Sequence, residues 1–262
     1  MNAPTDLPFM RVAAALDAYR RNLASLAQWA DASWSAALLG ADAVQLEAWR
    51  IALGHAGASA VETCSHALAD AAGVKPPAFA SLAHTALKPS LSGAAQPNAA
   101  LLDVLPVHHA LQVLRMRALS FRRAEARRLI DKRTRSQLSE WAGVGVDRLT
   151  QDAHLADAPD IARLAARAAM PPLTSLDASM LAVEGCALLL RDLGNVNGAN
   201  SASAVAGESA HVPFPLLRLA LPRVLPTPPW LASVPDSIDA PGSARLFARL
   251  SDLLPEFAWL FG

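Results

Sequence analysis

Residues 111–141 read LQVLRMRALSFRRAEARRLIDKRTRSQLSEW and contain the strongest pattern in the chain. Apolar side chains recur at helical spacing through this segment, among nine cationic and three acidic side chains. Nine cations against three anions give a net charge of +6, in a chain whose formal net charge is 0. The remaining residues are therefore acidic by the same amount. Such an asymmetry predicts a charged contact surface.

The phase of the apolar positions predicts a helix over 106–130 and a separate helix over 134–141, with a slip near Asp131. Arg122 and Glu125 both fall on the apolar side of the first helix, three residues apart. We therefore expect an internal, structural ion pair between these two side chains.

The other basic side chains of the segment are predicted to face a partner. Arg123 and Arg127 project away from the apolar side, and Arg117 and Arg128 flank it. Arginine far outnumbers lysine here, and its planar guanidinium suits bidentate recognition of carboxylates and phosphates. The predicted partner-binding residues are Arg117, Arg123, Arg127, Arg128, Lys132, Arg133 and Arg135.

Three interpretations of the basic segment are open. Charge runs usually form a solvated helix face or are paired within the protein. Nucleic-acid binding is supported by the density of arginine, but the neutral chain, its pI near 7.1 and the lack of interleaved aromatic side chains weaken it. A neutral chain with one segregated basic helix fits an acidic protein partner best, with arginine at the contact and electrostatic steering of association.

The composition indicates that most helices are buried on more than one side or face a partner. The 262 residues are 53% hydrophobic and 18% charged, with a mean hydropathy of +0.24. Every apolar run is interrupted well short of the roughly 20 residues that span a bilayer, and the closest run, 180–190, contains Glu184. No secretory signal peptide is expected, because the first ten residues carry no Lys or Arg. The isolated Cys64 and Cys186 fit a reducing cytoplasm.

Helical spacing extends over most of the chain. The first helix is marked by the apolar stripe Val12, Leu16, Tyr19, Leu23 and Leu26. Further helices are predicted over 41–53, 59–72, 157–169 and 175–193, and a final helix over 243–260.

The predicted fold class is therefore all-α. Residues 1–194 are expected to form a helical core domain, followed by a flexible loop over 195–211, whose residues are small and polar. Residues 212–262 are expected to be a Pro-rich, mostly irregular segment that ends in a helix packed on the core, within one domain in total.

Catalytic side chains show no productive pattern. The seven histidines form no HExxH motif and no i, i+4 pair, and Cys64 and His66 lie on different faces of a helix. No carboxylate pair is spaced for acid–base catalysis, and the Gly185-Cys186 step lacks a nucleophile-elbow pattern. We therefore expect a non-enzymatic protein with no catalytic, cofactor-binding or metal site.

Two segments carry a resemblance to a known family. They are LDAYRRNLASLAQWADASW at 16–34 and LRMRALSFRRAEARRLIDKRTRSQLSEWAG at 114–143. Both resemble the SctK-type accessory proteins of bacterial type III secretion systems, in the branch of the plant-pathogen Hrp systems.

The resemblance implies a helical, non-enzymatic protein at the cytoplasmic face of the injectisome. Such proteins resemble sorting-platform adaptors that link the cytoplasmic domain of the inner-membrane ring protein SctD to the pod protein SctQ, and so to the SctL–SctN ATPase complex. Contact with the inner membrane would then be made only through proteins. The alternatives are a helical nucleic-acid-associated or regulatory protein that uses the same basic helix, and a small-molecule enzyme in a helical bundle.

Overall fold

The computed structural model describes residues 8–89, 95–150, 159–196 and 212–262. Regular structure in these ranges is almost entirely α-helical, and the predicted all-α class is confirmed. The helices α1 to α16 are, in order, Pro8–Ala24, Leu26–Trp29, Ala32–Leu39, Ala43–His55, Ala58–Ala71, Phe79–Ala83, Val107–Phe121, Arg123–Arg128, Lys132–Ala142, Val146–Thr150, Ile161–Ala168, Ala178–Val196, Pro215–Arg218, Gly242–Phe247, Leu250–Leu253 and Ala258–Phe261.

Two short strands and four 3₁₀ turns complete the regular structure of the described ranges. Strand β1 is Leu87–Pro89 and strand β2 is Ala95–Pro97; they pair antiparallel, with Lys88 opposite Gln96. The 3₁₀ turns are Ala99–Asp103, Leu173–Ser175, Pro229–Ser233 and Pro255–Phe257.

The chain divides into two compact units. Unit 1 comprises the described parts of Met1–Thr85, Asn98–Ala110 and His211–Leu225. Unit 2 comprises the described parts of Ala86–Pro97, Leu111–Ala210 and Pro226–Gly262.

The boundaries expected from the sequence run differently from these units. The Pro-rich segment contributes residues 212–225 to unit 1 and residues 226–262 to unit 2. Of the predicted loop over 195–211, the first two residues belong to α12, and 197–211 lie outside the described residues.

The core of unit 1 forms around the apolar stripe of the first helical segment. Val12 and Tyr19 of α1 are buried, and the stripe continues in α2 with Leu26. Tyr19 and Leu26 pack with side chains of α5 and α13, including Leu68 and Leu216. Burial of the stripe supplies the main free energy that holds these helices together.

Unit 1 also buries one carboxylate. Asp103 keeps 2% of its surface exposed, and its oxygens accept hydrogen bonds from the backbone N–H groups of Leu216, at 3.2 Å, and Leu217, at 2.7 Å. Burial raises the pKa of Asp103 to about 7, although these two amides act to lower it. Asp103 thus provides hydrogen-bond acceptors for the backbone amides at the start of α13, which have no partner within that helix.

The core of unit 2 forms around α7 and α12. Phe121 at the end of α7 packs against Trp230, with ring centroids 5.5 Å apart, and both lie in a cluster with Leu188 of α12. Gly185 brings α12 very close to α7, because a Cβ at this position would stand 1.8 Å from the carbonyl oxygen of Leu114. Only glycine allows the two backbones to approach so closely.

Several predicted helix boundaries are wrong. The helix predicted over 106–130 is divided into α7 and α8, and the final helix predicted from Ser243 is three short helices, α14 to α16. The helix ends that flank the break at Arg122 and the break between α14 and α15 are buried, so packing of short segments replaces continuous helical hydrogen bonding there. The break before α16 contains Pro255, which has no backbone N–H to donate. The predicted slip near Asp131 is confirmed, because Asp131 caps α9.

Candidate functional site

The basic segment has a buried half and an exposed half. Arg117, Arg122 and Arg123, here called the buried arginines, keep 1%, 0% and 4% of their surface exposed. At Arg122 the backbone leaves the helix, with φ −86° and ψ 19°, so α7 and α8 do not share one continuous face. The structure therefore corrects the prediction that Arg117 and Arg123 lie on a partner-facing surface.

Arg117 is held by carboxylates from two distant parts of unit 2. Its Nη2 donates to Asp192 Oδ2 at 2.7 Å, and its Nη1 donates to Asp239 Oδ2 at 2.9 Å. Its Nε donates to Ser243 Oγ at 2.8 Å. A buried guanidinium is tolerated only with such partners, because desolvation of an isolated ion costs several kcal/mol.

Asp239 also forms ion pairs with two further arginines. Its Oδ1 accepts from Arg123 Nη1 at 3.1 Å and from Arg245 Nη2 at 2.5 Å. Its backbone has a positive φ of 56°, which turns the chain just before α14. This turn places one carboxylate between Arg117 on one oxygen and Arg123 with Arg245 on the other.

Arg122 forms a buried, bidentate ion pair with α12. Its Nε and Nη2 donate to the two oxygens of Glu184 at 2.5 and 2.8 Å, a bidentate arrangement. The predicted pair with Glu125 is also present, with Nη1 donating to Oε2 at 3.0 Å. Burial acts to lower the pKa of Arg122, but the hydrogen bonds and charges of Glu184 and Glu125 outweigh it, and the pKa is raised.

The exposed half is a turn between α8 and α9. We call residues 127–133 the basic turn; Arg127, Arg128, Lys132 and Arg133 are exposed in it. Ile130, between them, keeps 95% of its surface exposed. Single exposed apolar side chains are common on protein surfaces. The four exposed cations, rather than Ile130 alone, therefore make the basic turn a candidate contact surface.

Local hydrogen bonds give the basic turn a defined shape. Asp131 accepts from the backbone N–H of Thr134 at 2.8 Å, and the bonds from Thr134 and Arg133 lower its pKa. Arg127 Nη2 donates to the carbonyl oxygen of Thr150. Arg135, which was predicted to bind a partner, is half-buried and ion-paired with Asp147.

The sequence did not predict the carboxylates that form ion pairs with the buried arginines. Asp192 and Asp239 lie 75 and 122 residues beyond Arg117, and no local spacing links them. Glu184 carried a usable signal, because it is the lone charge within the apolar run 180–190. A single carboxylate on an otherwise apolar helix needs a cationic partner when it is buried, and arginine is the most frequent cation of the basic segment.

Two absences hold for the described ranges. Their helices include none that is long and apolar enough to cross a membrane. They also contain no group of three or more His, Cys, Asp or Glu side chains placed to hold a metal ion.

One protein family accounts for the chain. The sequence profile of the family described as bacterial type III secretion protein (HrpB4) matches residues 8–256. Among the curated proteins and the solved structures, none matches. Because the profile spans nearly the whole sequence, the chain belongs to the HrpB4 family of bacterial type III secretion proteins and has a role in type III secretion.

Proposed function

We propose that this protein is a non-enzymatic adaptor of the type III secretion sorting platform, at the cytoplasmic face of the injectisome. It links the cytoplasmic domain of SctD to the pod protein SctQ, and through SctQ to the SctL–SctN ATPase complex. The observation that carries the proposal is membership of a type III secretion family over residues 8–256. The resemblance of residues 16–34 and 114–143 to SctK-type proteins supports the adaptor role.

The basic turn is the surface that suits docking best. Arg128, Lys132 and Arg133 are exposed cations, and Ile130 offers an apolar side chain at their centre. An apolar anchor surrounded by cations matches an acidic, amphipathic surface on a partner protein. The cations would speed association through electrostatic steering, and desolvation of Ile130 would slow dissociation.

Burial of the other arginines favours a protein partner over nucleic acid. With Arg117, Arg122 and Arg123 buried inside unit 2, three of the nine cations of the segment cannot contact the phosphates of a nucleic acid. Nucleic-acid binding depends on the number of phosphates neutralised by surface cations. The few cations that remain exposed suit contact with a small acidic surface on a protein better than contact with a continuous nucleic-acid backbone.

The adaptor role is tested by recovering the tagged protein from its native cells after crosslinking and identifying its neighbours by mass spectrometry. Recovery of SctQ, SctL and SctD together is the expected result. Recovery of nucleic acid or of metabolic proteins, without any secretion component, would contradict the proposal and favour the nucleic-acid-associated alternative.

The docking surface is tested separately by charge reversal. The double variant Arg128→Glu, Arg133→Glu should lower recovery of the bound platform component about tenfold or more, since like charges then oppose the acidic partner. The matched control is Arg163→Glu, Arg167→Glu on α11, where both positions are exposed. Equal losses in the two variants would show that only the net charge matters, and would remove the basic turn from the proposal.

A further inference from the structure

An exposed proline-rich stretch joins the two units. Residues 222–229 read PRVLPTPP, here called the proline stretch, and the chain passes from unit 1 to unit 2 within them. The surrounding residues 212–235 contain no Asp or Glu, and their cations are Arg218 and Arg223. The proline stretch is therefore apolar with a positive charge near one end, and it is separate in sequence from the basic turn.

The prolines hold the backbone of residues 225–228 extended. A proline ring fixes its own φ at about −65° and biases the residue before it away from the helical region. Leu225, Pro226, Thr227 and Pro228 are each a proline or the residue before one. Pro228 has φ −55° and ψ 122°, close to the polyproline II values of about −75° and about 145°. The proline stretch therefore contains a turn of polyproline II helix, which has three residues per turn and no internal hydrogen bonds.

Side-chain burial in the proline stretch repeats every third residue. The half-buried side chains are Pro222, Leu225 and Pro228. The side chains between them are exposed, and so is Pro229. This is the pattern of a helix with three residues per turn that packs one edge on its own protein and leaves its other two edges in water. Pro226 and Pro229, three residues apart, lie along one exposed edge.

Both ends of the proline stretch are held in place. Arg218 donates to the carbonyl oxygen of Pro222 at 2.7 Å and to that of Arg223 at 2.8 Å. Its guanidinium carbon lies 5.3 Å from the ring centroid of Trp34. Just beyond the other end, Trp230 is buried in the core cluster of unit 2. Because both ends are fixed, binding costs the proline stretch little conformational freedom, which favours affinity.

The exposed groups indicate the chemistry of a partner. Proline rings along one edge of a polyproline II helix dock into grooves that are lined with aromatic side chains. Arg223 is exposed at a bend three residues before Pro226, and a guanidinium there suits a carboxylate beside such a groove. Because residues 212–235 contain no acidic side chain, none of them repels that carboxylate.

We propose that the proline stretch is the second docking surface of the adaptor, for a component that presents an aromatic-lined groove with a carboxylate beside it. Pro226 and Pro229 enter the groove, and Arg223 pairs with the carboxylate. The assignment rests on the proposed adaptor role, because a protein that links SctD to SctQ needs two separate surfaces and the basic turn provides one. The contact is made by this stretch of chain alone.

The test measures binding of the full chain to the purified cytoplasmic domain of SctD and to purified SctQ by isothermal titration calorimetry. The double variant Pro226→Ala, Pro229→Ala should weaken binding of one component about tenfold or more and leave the other unchanged, because ring contacts and the fixed backbone are lost. The matched control is Pro172→Ala, Pro235→Ala, where both prolines are exposed outside the proline stretch. Arg128→Glu, Arg133→Glu in the basic turn should weaken binding of the other component.

Photocrosslinking tests the chemistry of the groove. Thr227 is exposed next to Pro226, so a benzophenone side chain in its place lies at the edge of the bound partner. Crosslinks are expected in a segment of the bound component that contains Trp, Tyr or Phe. Crosslinks confined to segments without these residues would overturn the aromatic groove.

A charge variant keeps the test decisive if the double proline variant does not fold, which circular dichroism reveals. Arg223→Glu should weaken binding of the same component about tenfold, because its side chain then repels the carboxylate. Unchanged affinities in the proline and Arg223 variants would overturn the second surface and leave the adaptor role standing, as would loss of the component that the basic turn binds. Failure of the native chain to bind either component would contradict the adaptor role itself, and the assignment with it.

Discussion

Arg122 and Arg128 lie six residues apart in one basic segment, yet the first is fully buried and the second is exposed. Arginine is the main cation in both halves, so the residue type does not determine which side chains are buried and which are exposed. The difference is that carboxylates from α12 and from the turn before α14 meet the buried arginines, whereas none among the described residues reaches Arg128. A cation is part of the core or of the surface according to what the rest of the chain brings to it.

Removal of a buried arginine should cause the largest loss of stability. We expect Arg122→Ala to lower the free energy of unfolding by about 3–5 kcal/mol, because Glu184 is left buried without its cation. Urea denaturation followed by circular dichroism measures the change. The double variant Arg122→Leu, Glu184→Leu should recover much of the loss, since neither member of the bidentate pair is then left buried without its partner, and Glu125 keeps 19% of its side chain exposed. A loss below about 1 kcal/mol in Arg122→Ala would show that the pair is not buried in solution.

Asp103 differs from the carboxylates of unit 2, because it is buried in unit 1 and accepts hydrogen bonds from backbone amides instead of from arginine. Its pKa of about 7 in the folded protein lies above the ordinary value of 3.8, so the folded state holds the proton more tightly. The stability that this proton provides is complete below pH 3.8 and is lost as the pH rises through 7. The difference amounts to about 4 kcal/mol, at roughly 1.4 kcal/mol per pH unit.

The isosteric Asp103→Asn variant removes this dependence. The stability of the native protein relative to the variant should fall between pH 4 and pH 7 and then stay level. Chemical denaturation at a series of pH values measures the difference, and comparison with the variant cancels the contributions of all other groups. Parallel curves for the two proteins would mean that Asp103 ionises as freely as in the unfolded chain.

The two halves also differ in how much of their structure could be predicted from the sequence. Helical spacing predicted the all-α class, and the slip at Asp131 predicted the break before α9. The bend at Arg122 was not predicted, because Arg122 and Arg123 are good helix formers and the bend depends on packing. The ion pair with Glu125 was accessible at a spacing of three, but Asp192 and Asp239 were not, since only the tertiary fold places them beside Arg117.

Close packing of α12 against α7 is a second requirement of the buried half. Gly185→Ala should destabilise the protein by about 1–3 kcal/mol, because the new Cβ would stand 1.8 Å from the backbone of Leu114 and the helices must separate. Gly54→Ala in α4 is the matched control, with nothing within 4 Å of its Cβ, and should be neutral or stabilising by up to about 1 kcal/mol. Thermal unfolding of both variants measures the contrast, and equal Tm values would contradict the close approach.

The smallest effect on stability is expected in the basic turn. Arg128→Ala and Arg133→Ala should each change the free energy of unfolding by less than about 0.5 kcal/mol, because both side chains are exposed and no desolvated partner loses its cation. The same urea denaturation that measures Arg122→Ala measures these variants. A loss near that of Arg122→Ala would mean that the turn packs on something inside the protein. Unchanged stability combined with weaker recovery of the platform components would instead assign these two arginines to partner binding, because their side chains would then contribute to association and not to folding.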